Sequence, residues 1–251
     1  MKKRLYVDMD GTLAVFNNQI ESEEVLYQQG YYRNLPPQQS VIDAVRILSR
    51  REDIEIFVLS AVLPTPYAQP EKDAWLNDYL PEIDSAHRIY VPCGEDKAKY
   101  IGHTLGKDDL LLDDYSKNLH SWCPPGSAMK LMNGINGNFK TWQGNRVSVE
   151  QPAMKIAEKL LIAFGLEKRL HQNYEIIESH QVGNTEVVLG KDMTGGCQYQ
   201  YKVWYCTNTV GYYMGANFDI YAEAYNEMLT RARGLKALER SRDIGFQGIF
   251  L

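Results

Sequence analysis

The sequence predicts an α/β fold, a parallel sheet with helices on both faces, followed by a small C-terminal α+β module. Three observations lead to it. Through residue 165, short apolar runs ending in polar or acidic residues alternate with amphipathic stretches, the rhythm of strand–helix–strand units. Beyond Gly165 the apolar runs are instead separated by Gly-Asn, Thr-Gly-Gly and Thr-Asn-Thr-Val-Gly, which are hairpin and turn signals. The charge shifts nearby: residues 1–150 hold 16 Lys+Arg against 21 Asp+Glu, whereas residues 151–251 hold 11 of each. A first domain is expected over residues 1–168 and the module over 169–251.

In chain order, residues 5–7, 54–59, 89–91 and 110–112 read as buried strands. Between them, Val41, Ala44, Val45 and Leu48 mark a helix opened by Ser40, with Asp43 three residues later as a near capping box. A second helix runs from Pro70 to about Leu80, with proline in its first turn and Ala74, Trp75 and Tyr79 along one side. Residues 134–144 are loop-like, and residues 146–149 can add a strand. Pro152 opens an amphipathic helix through Met154, Ala157, Leu160, Leu161 and Phe164, closed by Gly165. In the module, three or four antiparallel strands near residues 174–179, 186–189, 199–206 and 212–214 are backed by a helix over about 221–233. The first part is therefore Rossmann-like. Ligands of such sheets bind at the carboxyl ends of the strands, where Asp8, Ser60 and Asp113 fall.

With 251 residues, 44% apolar and 24% charged, the chain can bury a substantial core, which excludes a disordered or fibrous protein. No stretch approaches the roughly 20 consecutive apolar residues of a membrane span. Met-Lys-Lys-Arg, three apolar residues and Asp8 make too short a start for a signal peptide, so a cytoplasmic protein without a membrane partner is expected. Cys93, Cys123, Cys197 and Cys206 form no C-x-x-C pair and suggest neither a zinc site nor a disulfide framework. A net charge of −5 gives no general electrostatic case for a nucleic-acid partner.

The strongest constellation is Asp8-Met9-Asp10-Gly11, just past the first strand. Two carboxylates two residues apart can face one crevice there, and Gly11 lets the chain turn. Like charges so close are costly unless a cation or proton compensates them, and Mg²⁺ suits hard oxygen ligands. Ser60 adds a hydroxyl at a second strand end, Lys97 a cation, and Asp113-Asp114 acids at another. Each alone is ordinary: a turn serine, a solvated lysine, a helix-initiating acid pair. Together they supply what phosphoryl transfer needs, namely a nucleophile, a general acid, phosphate donors and a metal clamp.

All four motifs, in this order, resemble the haloacid dehalogenase phosphohydrolase superfamily. More narrowly, the run from Asp8 to Phe16, then Gly30 to Pro37, Asp96-Lys97, and Leu111 to Leu119 with Trp122, look like the 5′(3′)-deoxyribonucleotidase family over roughly residues 3–165. The resemblance implies a haloacid dehalogenase-like fold with a small helical cap inserted at about residues 17–39. It implies Asp8 as the nucleophile that becomes an aspartyl-phosphate and Asp10 as the acid and base, with the Asp10 carbonyl also on the metal. Lys97 matches better than Lys99, because the family shows an Asp-Lys pair before its acidic strand. The phosphate falls to Ser60 and Ala61, and Mg²⁺ to Asp8, Asp10, Asp113 and Asp114. The sequence does not separate the last two: one binds the metal, and the other either does so through water or orients Lys97.

Specificity in this superfamily comes from the cap, where Phe16, Tyr31 and Tyr32 either form an apolar slot for a base, each stack worth roughly 1–3 kcal/mol, or simply pack the cap. One departure weakens the claim on substrate: Leu59-Ser60-Ala61-Val62-Leu63-Pro64 lacks the arginine or second hydroxyl that nucleotidases often carry. In the module, aromatics from Tyr199 to Tyr225, followed by Arg231, Arg233, Lys236, Arg240 and Arg242, either hold a small sheet together through cross-strand pairs or offer a surface for a protein partner, self-association, a nucleotide or single-stranded nucleic acid. The expected function is a Mg²⁺-dependent phosphomonoester hydrolase, a 5′-nucleotidase acting on deoxyribonucleoside monophosphates. The alternatives are a phosphatase for another small phosphomonoester such as a sugar phosphate, or a non-catalytic nucleotide- or partner-binding protein. An intact Asp10 argues against the last, because a pure binder needs no proton donor.

Overall fold

The computed structural model describes residues 2–16, 22–135, 141–207 and 210–247, with side chains as far as residue 241. The start of the expected cap (17–21), part of the expected loop (136–140), Asn208 and Thr209 of the last turn signal, and the Arg242 side chain lie outside the described residues. The chain divides after Glu167 into two compact units.

The first unit is built on a six-stranded, wholly parallel sheet of β1 (Lys3–Val7), β2 (Ile54–Val62), β3 (Arg88–Pro92), β4 (Asp109–Asp113), β5 (Ser127–Met132) and β6 (Asn145–Ser148). The strand order is β3-β2-β1-β4-β5-β6. Strand alternation sorts side chains onto two faces. Leu5, Val7, Val58, Leu110 and Leu112 pack into one core with α1 (Gln39–Ser49), α2 (Ala68–Tyr79) and α4 (Ala153–Ala163). Tyr6, Leu59 and Leu111 pack on the opposite side with Leu119 and Trp122 of α3 (Ser116–Trp122). Helices cover both faces, as the sequence predicts. The order reverses direction between β1 and β4, so the crevice at their carboxyl ends is a topological switch point, where open α/β sheets bind ligands.

Several local expectations are corrected. Ser40 does not cap α1. It lies inside the helix, where its hydroxyl donates to Val149 O at 2.7 Å, and Asp43 instead accepts from Gln39 and Arg46. In α4 the buried stripe is Ile156, Ala157, Leu160 and Leu161, while Met154 is 66% exposed. Ser60 lies within β2 and not past its end. Strand β5 is absent from the sequence reading because its Ser-Ala-Met-Lys-Leu-Met text has no β-branched residue and carries a lysine, Lys130, which is buried and donates to Ser116 Oγ at 2.6 Å.

The second unit is an antiparallel sheet in the order β11-β10-β9-β8-β7, with β7 (Leu170–His171), β8 (Tyr174–Val182), β9 (Thr185–Asp192), β10 (Tyr201–Thr207) and β11 (Gly211–Phe218), and a helix α5 (Tyr221–Gln247). It has five strands, and its helix runs well beyond Arg233. Val182, Val187, Leu189 and Val203 pack under Ala224, Met228 and Ala232 of α5. Trp204, Val188 and Tyr174 occupy the other face. Gly190 is required beneath Trp204, since a Cβ there would come within 2.9 Å of the indole. The aromatics largely serve their own sheet: Tyr205 stacks across the strands on Tyr213, and Tyr212 stacks on His171 with ring centroids 3.9 Å apart. Arg231 of the basic stretch is also used internally, on Glu227 and over the Tyr205 ring. Among the described residues no helix is long and apolar enough to cross a membrane.

Candidate active site

The D-x-D spacing has a mechanical cause. As β1 ends, the Asp8 amide still donates to Leu112 O of β4, and Met9 turns fully into the core. The amides of Leu13 and Ala14 close back on Met9 O, so the residues flanking Met9 lie along the crevice. Gly11 has φ +86°, and a Cβ on it would sit 2.5 Å from Asp114 Oδ2. Only glycine allows both this turn and the close approach of that carboxylate.

Lys97 opens a single 3₁₀ turn, Lys97–Tyr100, begun by Asp96, whose carboxylate accepts from Ala98 N. Its buried ammonium lies 2.5 Å from Asp8 Oδ1 and 2.8 Å from Asp113 Oδ2. Lys99 points elsewhere, 3.4 Å from Glu95, so the geometry brings Lys97 and not Lys99 to the acids. Asp113 also accepts from Asn118 Nδ2 at 2.8 Å and Tyr115 N at 2.7 Å. Asp114 Oδ2 accepts from Asn133 Nδ2, which also donates to Gly11 O and ties the two acidic turns together. The two acids of the pair thus have different partners, Lys97 for Asp113 and Asn133 for Asp114.

Asp8, Asp113 and Asp114 are buried and offer carboxylate oxygens within 4.8 Å of one another, a donor set suited to a hard divalent cation. Burial pushes the Asp8 carboxyl up to about 8; Lys97 opposes the shift, and Asp113, Asp10 and Asp114 add to it. Burial also works against the Lys97 ammonium, but Asp113 and Asp8 hold its pKa above the ordinary lysine value. A group of buried acids that cannot all stay ionised alone fits a bound cation. The Asp10 side chain is not in this set. Its Oδ2 accepts from Lys72, and the metal role that the resemblance implies for Asp10 is that of its backbone carbonyl.

A cavity of about 200 Å³ opens over these groups, lined by Asp8, Asp10, Phe16, Ala61, Lys97, Asp113, Asp114, Tyr115 and Asn118. Ser60 lies fully buried behind Ala61, its hydroxyl accepting from Lys72 at 2.9 Å. The expected aromatic slot is only partly present. Phe16 reaches the cavity and meets Tyr31 edge-on at 6.3 Å. Tyr32 does not form the slot: it is 4% exposed, packed in the core with its ring 4.7 Å from the Lys72 ammonium. The described part of the cap consists of two 3₁₀ turns, Glu23–Tyr27 and Tyr32–Asn34.

Sequence reasoning missed Lys72, Tyr115, Asn118 and Asn133. For Lys72 a signal existed. Ala68, Lys72, Trp75 and Leu76 recur at i, i+4, i+7 and i+8 and form the buried stripe of α2, so a lysine occupies a core-facing position. The other three sit in loops or a short helix, where no periodicity reveals orientation.

No family model matches the chain. A Staphylococcus aureus (strain Mu50) protein named "Putative 5′(3′)-deoxyribonucleotidase" is 24% identical over 136 residues, 54% of this chain and 69% of its own. A Staphylococcus epidermidis (strain RP62A) protein of the same name is 27% identical over 96 residues, 38% of this chain and 48% of its own. A chloroplastic acetyl-coenzyme A carboxylase carboxyl transferase subunit beta from Drimys granadensis is 38% identical over 58 residues, and the match spans only 11% of that protein. Among solved structures, the haloacid dehalogenase domain of the Legionella pneumophila effector Lem4, an inactive mutant, is similar with a TM-score of 0.36 and 15% identity, covering 64% of this chain and 94% of that one. The first unit is a parallel α/β sheet whose switch-point crevice gathers the four motifs on which the resemblance to the haloacid dehalogenase superfamily rests. Over part of its length the chain is similar to proteins named as 5′(3′)-deoxyribonucleotidases.

Proposed function

We propose that the protein is a Mg²⁺-dependent phosphomonoester hydrolase, a 5′-nucleotidase for deoxyribonucleoside monophosphates working through an aspartyl-phosphate. The observation that carries this reading is Lys97, a buried ammonium bridging Asp8 and Asp113 at the switch-point crevice. A carboxylate can attack a phosphate dianion only where cationic groups cancel the repulsion. Lys97 supplies one such charge and orients Asp8 through Oδ1. Mg²⁺ held by Asp8, Asp114 and the Asp10 carbonyl would supply further charge neutralisation when bound.

In the first step an Asp8 carboxylate oxygen bonds to phosphorus, the ester P–O bond breaks, and Asp10 gives its proton to the departing oxygen. In the second, Asp10 takes a proton from water, whose oxygen bonds to phosphorus and expels the Asp8 carboxylate, releasing inorganic phosphate. Both steps need Asp10 at the mouth of the cavity, which it lines.

The nucleotide reading draws on Phe16 and Tyr115 beside the cavity and on the names of the staphylococcal relatives. A second reading, a sugar phosphate or similarly small ester, is favoured by the cavity's size, about 200 Å³, below the roughly 300 Å³ at which pockets enclose drug-sized ligands. Phosphate release measured over nucleoside monophosphates and sugar phosphates, in Mg²⁺ and in chelator, tests both. Mg²⁺-dependent release from deoxyribonucleotides is expected. Release from sugar phosphates alone selects the second reading, and no release from any ester overturns both.

A further inference from the structure

Lys72 is fully buried on α2, yet no part of it lines the cavity. Removing an ammonium from water costs several kcal/mol unless every proton finds a partner. Here the partners are complete: Asp10 Oδ2 at 2.5 Å, Ser60 Oγ at 2.9 Å and Ala61 O at 2.5 Å. All three acceptors belong to residues that the family resemblance assigns to the acid–base and phosphate sites. An apolar side chain would fill this position at less cost, so packing does not explain the charge.

The two oxygens of Asp10 are thereby made unequal. Oδ2 is held by Lys72, whereas Oδ1 is buried and has no hydrogen-bond partner among the described residues. With Oδ2 held by Lys72, which also donates to Ser60 Oγ and Ala61 O, the Asp10 carboxyl is kept in one orientation beside the cavity that it lines. Helix α2 is itself anchored next door, where Glu71 accepts from the backbone N–H groups of Gly30, Tyr32 and Arg33, so the ammonium is delivered from a braced position.

We propose that Lys72 is a positioning residue that, by holding Asp10 Oδ2, fixes the orientation of the Asp10 carboxyl for the acid–base step. This rests on the hydrolase reading above. It also supplies, from α2, the polar partner that the single-hydroxyl segment around Ser60 does not provide.

The test compares two esters in one enzyme preparation. An alkyl ester, taken as the best substrate of the phosphate-release screen, needs its leaving oxygen protonated; p-nitrophenyl phosphate does not. For Lys72→Met in saturating Mg²⁺, kcat/KM for the alkyl ester should fall on the order of ten- to a hundred-fold more than kcat/KM for p-nitrophenyl phosphate, within the range that a positioned general acid contributes. With p-nitrophenyl phosphate, kcat and KM should fall together, because the shared second step still needs Asp10 as base. The ratio between esters does not depend on the folded fraction. Lys72→Gln, which keeps a donor at this place, should give an intermediate ratio and serves if the methionine variant does not fold. Equal losses on both esters in whichever variant folds overturn the proposal. A wild-type protein that hydrolyses neither ester overturns the hydrolase reading itself, and the role of Lys72 with it.

Discussion

The two units bury different chemistry. In the first, eight charged residues are less than a tenth exposed: Asp8, Lys72, Lys97, Asp113 and Asp114 about the crevice, and Lys130, Arg146 and Asp109 away from it, the last paired with Arg4 at the other end of β4. In the second, the described residues buried to that degree are apolar or aromatic, and the strongest ion pair, the forked Arg169–Glu186 contact at 2.7 Å, stays about one-fifth exposed. A small sheet can be held by Trp204 and its neighbours alone. Buried like charges, by contrast, work against folding, and their concentration at one end of the first sheet marks where stability is given up for chemistry.

The sharpest break of this contrast is Asp8→Asn. Turnover should fall on the order of 10³-fold or more, because an amide cannot attack phosphorus. The thermal midpoint should hold or rise, since a buried acid has been removed. A variant that keeps Mg²⁺-dependent turnover, or melts far earlier, contradicts the contrast. In the second unit, Trp204→Ala should cost about 3–5 kcal/mol in that unit's unfolding transition. Turnover per folded molecule should be unchanged, because every candidate site residue precedes Glu167; a large drop in kcat would show that the aromatic sheet takes part in catalysis.

A smaller effect follows from the raised Asp8 pKa. Between the ordinary value of 3.8 and about 8 the native carboxyl holds a proton that the unfolded chain releases. The stabilisation from that proton is full below 3.8 and is lost as pH rises through about 8, so metal-free protein should melt at lower temperature from about pH 6 to about pH 8. Mg²⁺ should flatten the slope, since it favours the ionised form. Melting curves in chelator and in Mg²⁺ check both, and a midpoint that climbs with pH in chelator contradicts the burial argument. The smallest expected effect is Met154→Lys, within about 0.5 kcal/mol for an exposed helix position. The neighbouring Ile156→Lys should unfold the first unit, a pair that fixes which face of α4 is buried.

The parts legible in the sequence were those that a period or a spacing encodes. Strands β1, β2 and β4 carry short apolar stretches that end at Asp8, Ser60 and Asp113, and the D-x-D-G turn follows from Met9 entering the core while its neighbours stay at the crevice. What escaped depended on contacts between distant segments. Lys130 is buried in β5, where Ser116, fourteen residues earlier, accepts its hydrogen bond. Ser40 looked like a cap because its partner, Val149 O, lies 109 residues away. Tyr32 belongs to the core, where it faces a lysine from α2, a contact that no local pattern contains. Asp113 and Asp114 are adjacent and chemically identical, so only their partners, Lys97 and Asn133, distinguish them.

If Asp8 is the nucleophile, it carries the phosphoryl group during turnover. Mixing the protein with a radiolabelled phosphomonoester that it hydrolyses, quenching in acid during turnover and mapping the labelled peptide reads this out. Label is expected on the peptide containing Asp8, removed by hydroxylamine as an acyl phosphate is, and absent from Asp8→Asn. Label on a serine or histidine, or undiminished turnover by Asp8→Asn with no label at all, would contradict it.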